Sequence, residues 1–167
     1  MNVQNYLENL NALNPLSPGL RAYFDTIAET IAYKKGQKMS LAEKGRYFFP
    51  FLASGAIKLY AKVGENSQKG NSFTYSPSEF LYHIVSPMED PNNKFYWDIL
   101  EDVEIIAISE KHYSSILKHF FDAYKLNLEF TQMHFNSLLN NMAYNTITNG
   151  KPSRPNGQLD EPKDKGE

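Results

Sequence analysis

The spacing of apolar residues along the chain changes character twice. Residues 2 to 14 place Tyr6, Leu7, Leu10 and Leu13 at helical intervals. Asn14-Pro15 closes this segment, because the residue before a proline avoids helical backbone angles. Ser17-Pro18 predicts a second helix start. A serine oxygen can accept from the free N–H groups of the first turn, and proline at the first helical position gives up no hydrogen bond. Leu20, Tyr23, Phe24, Ile27 and Ile31 follow at helical spacing, which predicts a short helix packed on an apolar surface.

From about residue 31 to 109 short runs rich in β-branched and aromatic residues replace that pattern: TIAYKKGQ, RYFFPFLASG, AIKLYAKVGEN, SFTYSPSE, KFYWDIL and VEIIAIS. Gly36, Gly45, Gly55, Gly64 and Gly70 punctuate them. Strand-length pieces at this spacing predict a mainly β fold with flanking helices, a small antiparallel β-barrel or jelly roll. Gly64-Glu65-Asn66 separates two alternating segments and reads as a hairpin tip. Helical connections of the βαβ kind are missing from this region, which argues against a parallel-sheet enzyme fold.

Beyond Ser109, an N-cap followed by Glu110, the pattern is helical again to about residue 148, with a bend expected near Lys118. The later part is about 30 residues, or about 45 Å of helix. Leu128, Thr131, Phe135, Leu138, Met142 and Asn145 fall at heptad a/d spacing, and Leu126, Phe130 and Met133 form a second apolar row. Packing on the barrel accounts for one row. The other predicts a homodimer interface through Leu128, Thr131, Phe135, Leu138 and Met142, where Thr131 and Asn145 would fix register at the expense of affinity. Asn149-Gly150 ends the helix, and the proline- and glycine-bearing stretch 149–167, which lacks aromatics, reads as a disordered tail. Residues 1–148 are expected to form one domain.

Composition narrows the function classes. The 167 residues carry 17 basic and 19 acidic side chains, so there is no electrostatic footprint for nucleic acid or an anionic membrane. The absence of cysteine excludes disulfides, thiolate metal sites and thiol nucleophiles. The opening MNVQNYLENLNALNPL lacks the basic and apolar regions of a signal peptide, and no window approaches the ~20 apolar residues of a membrane span. A cytoplasmic protein is the expectation.

A helix, a glycine-punctuated β region and a long amphipathic helix together resemble the cyclic-nucleotide-binding-like sensor domain of the Crp/Fnr transcriptional regulators. The residues carrying the resemblance are Lys35-Gly36, Gly45, and Ser54-Gly55 followed by Ile57, Leu59 and Tyr60. Leu100-Glu101-Asp102 and Ile108-Ser109 sit where that family closes its β region and exits into helix. The resemblance covers about residues 17 to 146. It implies a sensor module in signal transduction and transcription regulation, dimeric through its long helix. Family members add a helix-turn-helix domain after that helix, for which this sequence has no counterpart, so direct nucleic-acid binding is not expected.

The resemblance also locates a phosphate cradle. Nucleotide-binding members carry a Gly-Glu pair there and an arginine further on. The glycine admits the phosphate to the backbone, the glutamate takes the ribose hydroxyl, and the arginine pairs with the phosphate. Here Ser78 stands at the glycine position beside Glu79, and Asn93 or Lys94 stands near the arginine position. No arginine occurs between Arg46 and Arg154. Lysine offers a point charge without the bidentate fork. Ser76-Pro77-Ser78-Glu79, echoed by Ser86-Pro87-Met88-Glu89, also reads as a capping box in which the glutamate folds back on its own helix start. The cradle is therefore expected to be degenerate, with no cofactor. A small-molecule ligand, if one binds, is expected between the β region and the long helix. Its lining would be Ser78, Glu79, Phe80, Leu81, Tyr82, Lys94, Tyr96 and Thr131. The alternative is a working cyclic AMP or cyclic GMP receptor in which Lys94 replaces the arginine.

Enzymatic chemistry finds little footing. A cupin-type metalloenzyme would need histidines on strands, but only His83 lies in the β region, and His112, His119 and His134 fall in helical sequence. There is no nucleophile elbow, phosphate-binding Gly-Lys loop or zincin motif. The chain is expected to be a non-enzymatic module whose partner is a second copy, an unidentified small molecule or another protein.

Overall fold

The computed structural model describes residues 2–40, 47–63, 68–81 and 93–149. By compactness the chain divides into Met1–Phe135 and Asn136–Glu167. The first unit opens with α1 (Asn2–Leu13) and α2 (Pro18–Ile27). The Ser17 hydroxyl accepts from the Leu20 N–H at 3.3 Å, so the predicted cap forms. Ile31, placed on this helix by spacing, lies instead on the first strand: α2 stops at Ile27, where Ala28 turns to extended backbone.

Among the described residues eight strands follow: β1 (Glu29–Tyr33), β2 (Lys38–Ser40), β3 (Tyr47–Ser54), β4 (Ile57–Val63), β5 (Gln68–Tyr75), β6 (Glu79–Phe80), β7 (Asn93–Ile99) and β8 (Val103–Ser109). They form two four-stranded antiparallel sheets of order β1-β8-β3-β6 and β2-β7-β4-β5, so the predicted jelly roll is present as two open sheets and not as a closed barrel. Val63 pairs with Gln68 across the predicted hairpin. Its tip, Gly64-Glu65-Asn66, lies outside the described residues, as does Gly45.

The first sheet is covered on both faces, and β8 explains how. Val103, Ile105 and Ala107 point into a core shared with Leu52, Ile57, Leu59, Trp97 and Ile99 of the two sheets. Ile106 and Ile108 point the other way, into a core with the helices. A strand buried on both faces reads as a continuous apolar run, as VEIIAIS does. Gly55, at φ +82, makes the turn from β3 into β4. A Cβ there would lie 2.3 Å from the Asp102 carbonyl oxygen, so the position requires glycine.

The β3 strand carries an irregularity. Phe48 pairs with Ile108 but Phe51 with Ile106, so one extra residue bulges, and Phe49 adopts φ +50. Its ring is directed into the helical core, edge-on to Phe24, Tyr113 and Phe130.

α3 (Glu110–His119) and α4 (Phe121–Asn149) follow β8. The bend expected near Lys118 falls at Phe120, whose extended backbone separates the two helices. Ser109 flanks α3 without making a side-chain cap. In the first unit α4 buries Ala123, Leu126 and Phe130. Met133, grouped with Leu126 and Phe130 by spacing, is 40% exposed; the helix turns it away from the core, and Ala123 takes the third place in the buried row. In the second unit Asn136 to Asn149 continues as helix, with Leu139 exposed. Of the stretch 149–167, read as a tail, Asn149 is instead the last residue of α4, and 150–167 lie outside the described residues.

Candidate functional site

The turn between β5 and β6 occupies the place of the predicted cradle. It is not a helix start. Pro77 and Ser78 form a turn that runs directly into β6, which pairs with β3 through Phe51–Phe80 and Leu52–Glu79. The Ser78 N–H donates to the Leu52 carbonyl at 2.8 Å, and the Leu81 N–H donates to the Pro50 carbonyl at 2.8 Å. Those sheet contacts outweigh the local helix signal of Ser-Pro-x-Glu. One half of the predicted capping box survives: the Glu79 carboxylate accepts the Ser76 N–H at 2.6 Å. A charged acceptor at that distance is a strong partner for an amide.

Ser78 itself lies at φ +71, in the left-handed region that favours glycine. The backbone at Ser78 thus adopts a glycine-like conformation with a side chain present. The Ser78 hydroxyl accepts a long hydrogen bond, 3.4 Å, from the Asn5 side-chain amide of α1.

The other predicted lining residues are distributed among different surroundings. Phe80 is buried in the helical core, with rings of Phe51 at 5.2 Å and Phe130 of α4 at 5.5 Å. Leu81 turns into the core between the sheets. Tyr96, half-buried on β7, stacks on Tyr60 at 5.7 Å. Thr131 is exposed on α4, and its hydroxyl donates to the Asn127 carbonyl of its own helix at 2.8 Å. Lys94 pairs with Lys62 in the β4–β7 ladder, so its backbone is placed; its side chain and Tyr82 lie outside the described residues. Among the described lining residues of the turn, Phe80 is the one that packs on the long helix, against Phe130.

Sequence reasoning missed Tyr6. Its ring is fully buried beside Phe51 at 5.8 Å and Phe80 at 6.4 Å, directly behind the turn. Its hydroxyl has no hydrogen-bond partner among the described residues. Burial pushes its pKa far above the usual tyrosine range. A tyrosine at a helical core position gives no signal that its hydroxyl will be stranded.

The outward side of α4 is a second feature. Phe121 is 79% exposed, Tyr124 55%, Leu128 56% and Phe135 59%, with exposed Thr131 between the last two. Their spacing of three and four residues carries the predicted seam one heptad further toward the N-terminus. The side chains of Leu138 and Met142, its continuation by sequence, lie outside the described residues. Across the helix, the Tyr113 hydroxyl of α3 donates to the Asn127 side-chain oxygen at 2.7 Å and braces the α3–α4 elbow.

Among the described residues no group of three or more potential metal-ligating side chains comes together, and His83 lies outside them. No described helix is long and apolar enough to cross a membrane.

No family model matches the chain, and no curated protein matches it by sequence. Solved structures do match. One, from Eubacterium rectale, is described as a transcriptional regulator of the Crp/Fnr family; it is 13% identical at a TM-score of 0.58, over 79% of this chain and 61% of that one. DNR from Pseudomonas aeruginosa is 18% identical at a TM-score of 0.55, over 87% and 62%. Oxidized CprK in complex with o-chlorophenolacetic acid is 17% identical at a TM-score of 0.51, over 80% and 51%. The chain therefore has the fold of these regulators over the part of them that it spans, which is 51 to 62% of their length.

Proposed function

We propose that this chain is a non-enzymatic regulatory module of the Crp/Fnr sensor type, pairing with a second copy through the outward face of α4. One observation carries the reading. The helix buries Ala123, Leu126 and Phe130 on its own domain while Phe121, Tyr124, Leu128 and Phe135 stand exposed at heptad spacing. Apolar residues with that period form the knobs of a coiled-coil seam, and a lone helix gains nothing from exposing them. A regulatory role in place of catalysis is supported by the fold held in common with proteins described as regulators. The near balance of 17 basic and 19 acidic residues supports a module that does not itself grip nucleic acid.

The cradle in this reading is degenerate. The Ser76 amide, one of the donors a phosphate would use, is held by the Glu79 carboxylate at 2.6 Å, and that carboxylate repels an anion. A ligand of this module is then unlike a cyclic nucleotide, and of the lining expected from the sequence Phe80, which faces Phe130 of α4 at 5.5 Å, is the residue best placed to meet it. Light scattering on the chain and on Phe135→Glu tests the pairing: a dimer that becomes a monomer supports it, and an unchanged mass removes this face from the interface.

One observation favours a second reading, a working cyclic-nucleotide receptor. Ser78 holds the left-handed backbone that the family's glycine would supply, so the cradle keeps its shape. Calorimetric titration with cyclic AMP and cyclic GMP separates the two, since micromolar binding abolished by Lys94→Ala supports the receptor.

A further inference from the structure

The α1–α2 hairpin touches both features just described, at opposite ends of its length. Its α1 end reaches the candidate turn: the Asn5 amide meets the Ser78 hydroxyl, and the Tyr6 ring lies against Phe80. Its α2 end reaches the start of α4. The Ser17 N–H donates to the Asp122 carboxylate at 2.7 Å, and Tyr23 packs on Phe120 with ring centroids 5.6 Å apart. Phe120 also lies within 3.4 Å of where a Cβ on Gly19 would stand, so the elbow and α2 are in close contact.

Two details make this more than general packing. Ser17 uses its hydroxyl to cap α2 and its N–H to hold Asp122, so one residue fixes both the helix start and the α4 anchor. At the other end the seat is imperfect, because Tyr6 has a buried hydroxyl with no partner among the described residues. Release of α1 returns that hydroxyl to water, which lowers the free-energy gap between the seated and released states.

We infer that the α1–α2 hairpin is a strap that couples the 76–81 turn to the first turn of α4. A change at the turn shifts the seating of α1, and through Ser17 and Asp122 it shifts the footing of the helix that bears the pairing face. This rests on the function proposed above for those two ends. The coupling is reciprocal, as any equilibrium linkage must be: disturbance at Asp122 loosens the turn, and disturbance at the turn loosens Ser17.

Hydrogen exchange on the full chain tests it without any ligand. Asp122→Ala is expected to speed exchange of the Ser78 and Leu81 amides about tenfold, the scale of one lost charge-assisted hydrogen bond. Asp122→Asn, which keeps an oxygen acceptor, produces a smaller change and covers the case in which the alanine variant folds poorly. Conversely, Asn5→Ala speeds exchange at Ser17. The Lys35 and Gly36 amides, bonded to Asp102 and Ile99, are the reference. Acceleration at Ser78 and Leu81 with Lys35 and Gly36 unchanged supports the strap. Acceleration confined to Ser17, or equal at all these amides, overturns it. Repeating the measurement on Phe135→Glu separates the two claims, because the strap predicts the same coupling in a monomer.

Discussion

The Glu79 carboxylate accepts the Ser76 backbone N–H at 2.6 Å, across the turn proposed above as a degenerate cradle. Two consequences follow for a passing anion: a donor is occupied and a negative charge is fixed beside it. Titration with cyclic AMP or cyclic GMP is expected to give no saturable heat at micromolar concentrations. Glu79→Gln removes the charge, and any residual affinity for inorganic phosphate is expected to rise.

Ser78 is held at φ +71, where a side chain costs about 1 kcal/mol. Ser78→Gly is therefore expected to stabilise the domain by no more than about 0.5 kcal/mol, the left-handed strain relieved being largely offset by the greater freedom of glycine in the unfolded chain. Ser78→Val should destabilise by about 1–2 kcal/mol. Urea unfolding midpoints at unchanged slope measure both.

Gly55 permits the close approach of two chain segments. An alanine there sets its Cβ 2.3 Å from the Asp102 carbonyl oxygen and 2.6 Å from Val103, at a φ of +82. Backbone atoms cannot yield as a flexible side chain would. Gly55→Ala is expected to destabilise by about 2–4 kcal/mol, read as a fall in thermal midpoint.

Tyr6 allows a substitution that improves on the native residue. Tyr6→Phe keeps the ring contacts with Phe51 and Phe80 and removes the hydroxyl that lacks a partner among the described residues. It is expected to stabilise the fold by about 1–2 kcal/mol, while Tyr6→Ala destabilises by about 3–5 kcal/mol through the cavity it leaves. A destabilising Tyr6→Phe would mean that the hydroxyl is satisfied by water.

The features legible in the sequence were those fixed by local chemistry or by long periodicity. Ser17-Pro18 marks a helix start that the helical spacing of Leu20, Phe24 and Ile27 after it supports, and the turn at Ser54-Gly55 is marked by the residue it needs. The outward apolar row of α4 was visible because its spacing repeats in the sequence. Its first members, Phe121 and Tyr124, were obscured by the unmarked break at Phe120. Short elements set by distant partners were misread. Ser76 to Glu79 carries every local sign of a capped helix, yet the Leu52 and Pro50 carbonyls on β3 draw it into a two-residue strand. Likewise Met133 fits an apolar row by spacing, and only the direction in which α4 meets the core sets it outward. Phe80 and Leu81, proposed for one lining, divide between two cores for the same reason: successive side chains along an extended segment point to opposite faces.

The pairing face of α4 is the centre of the account, and the mass of the particle in solution tests it most directly. Leu128 is 56% exposed, so Leu128→Glu on a lone domain changes stability by no more than about 0.5 kcal/mol. In a paired helix it places two carboxylates in an apolar seam. Light scattering is expected to give twice the chain mass for the native protein and a folded monomer for Leu128→Glu. A native monomer, or a Leu128→Glu variant that remains a dimer, would contradict the account.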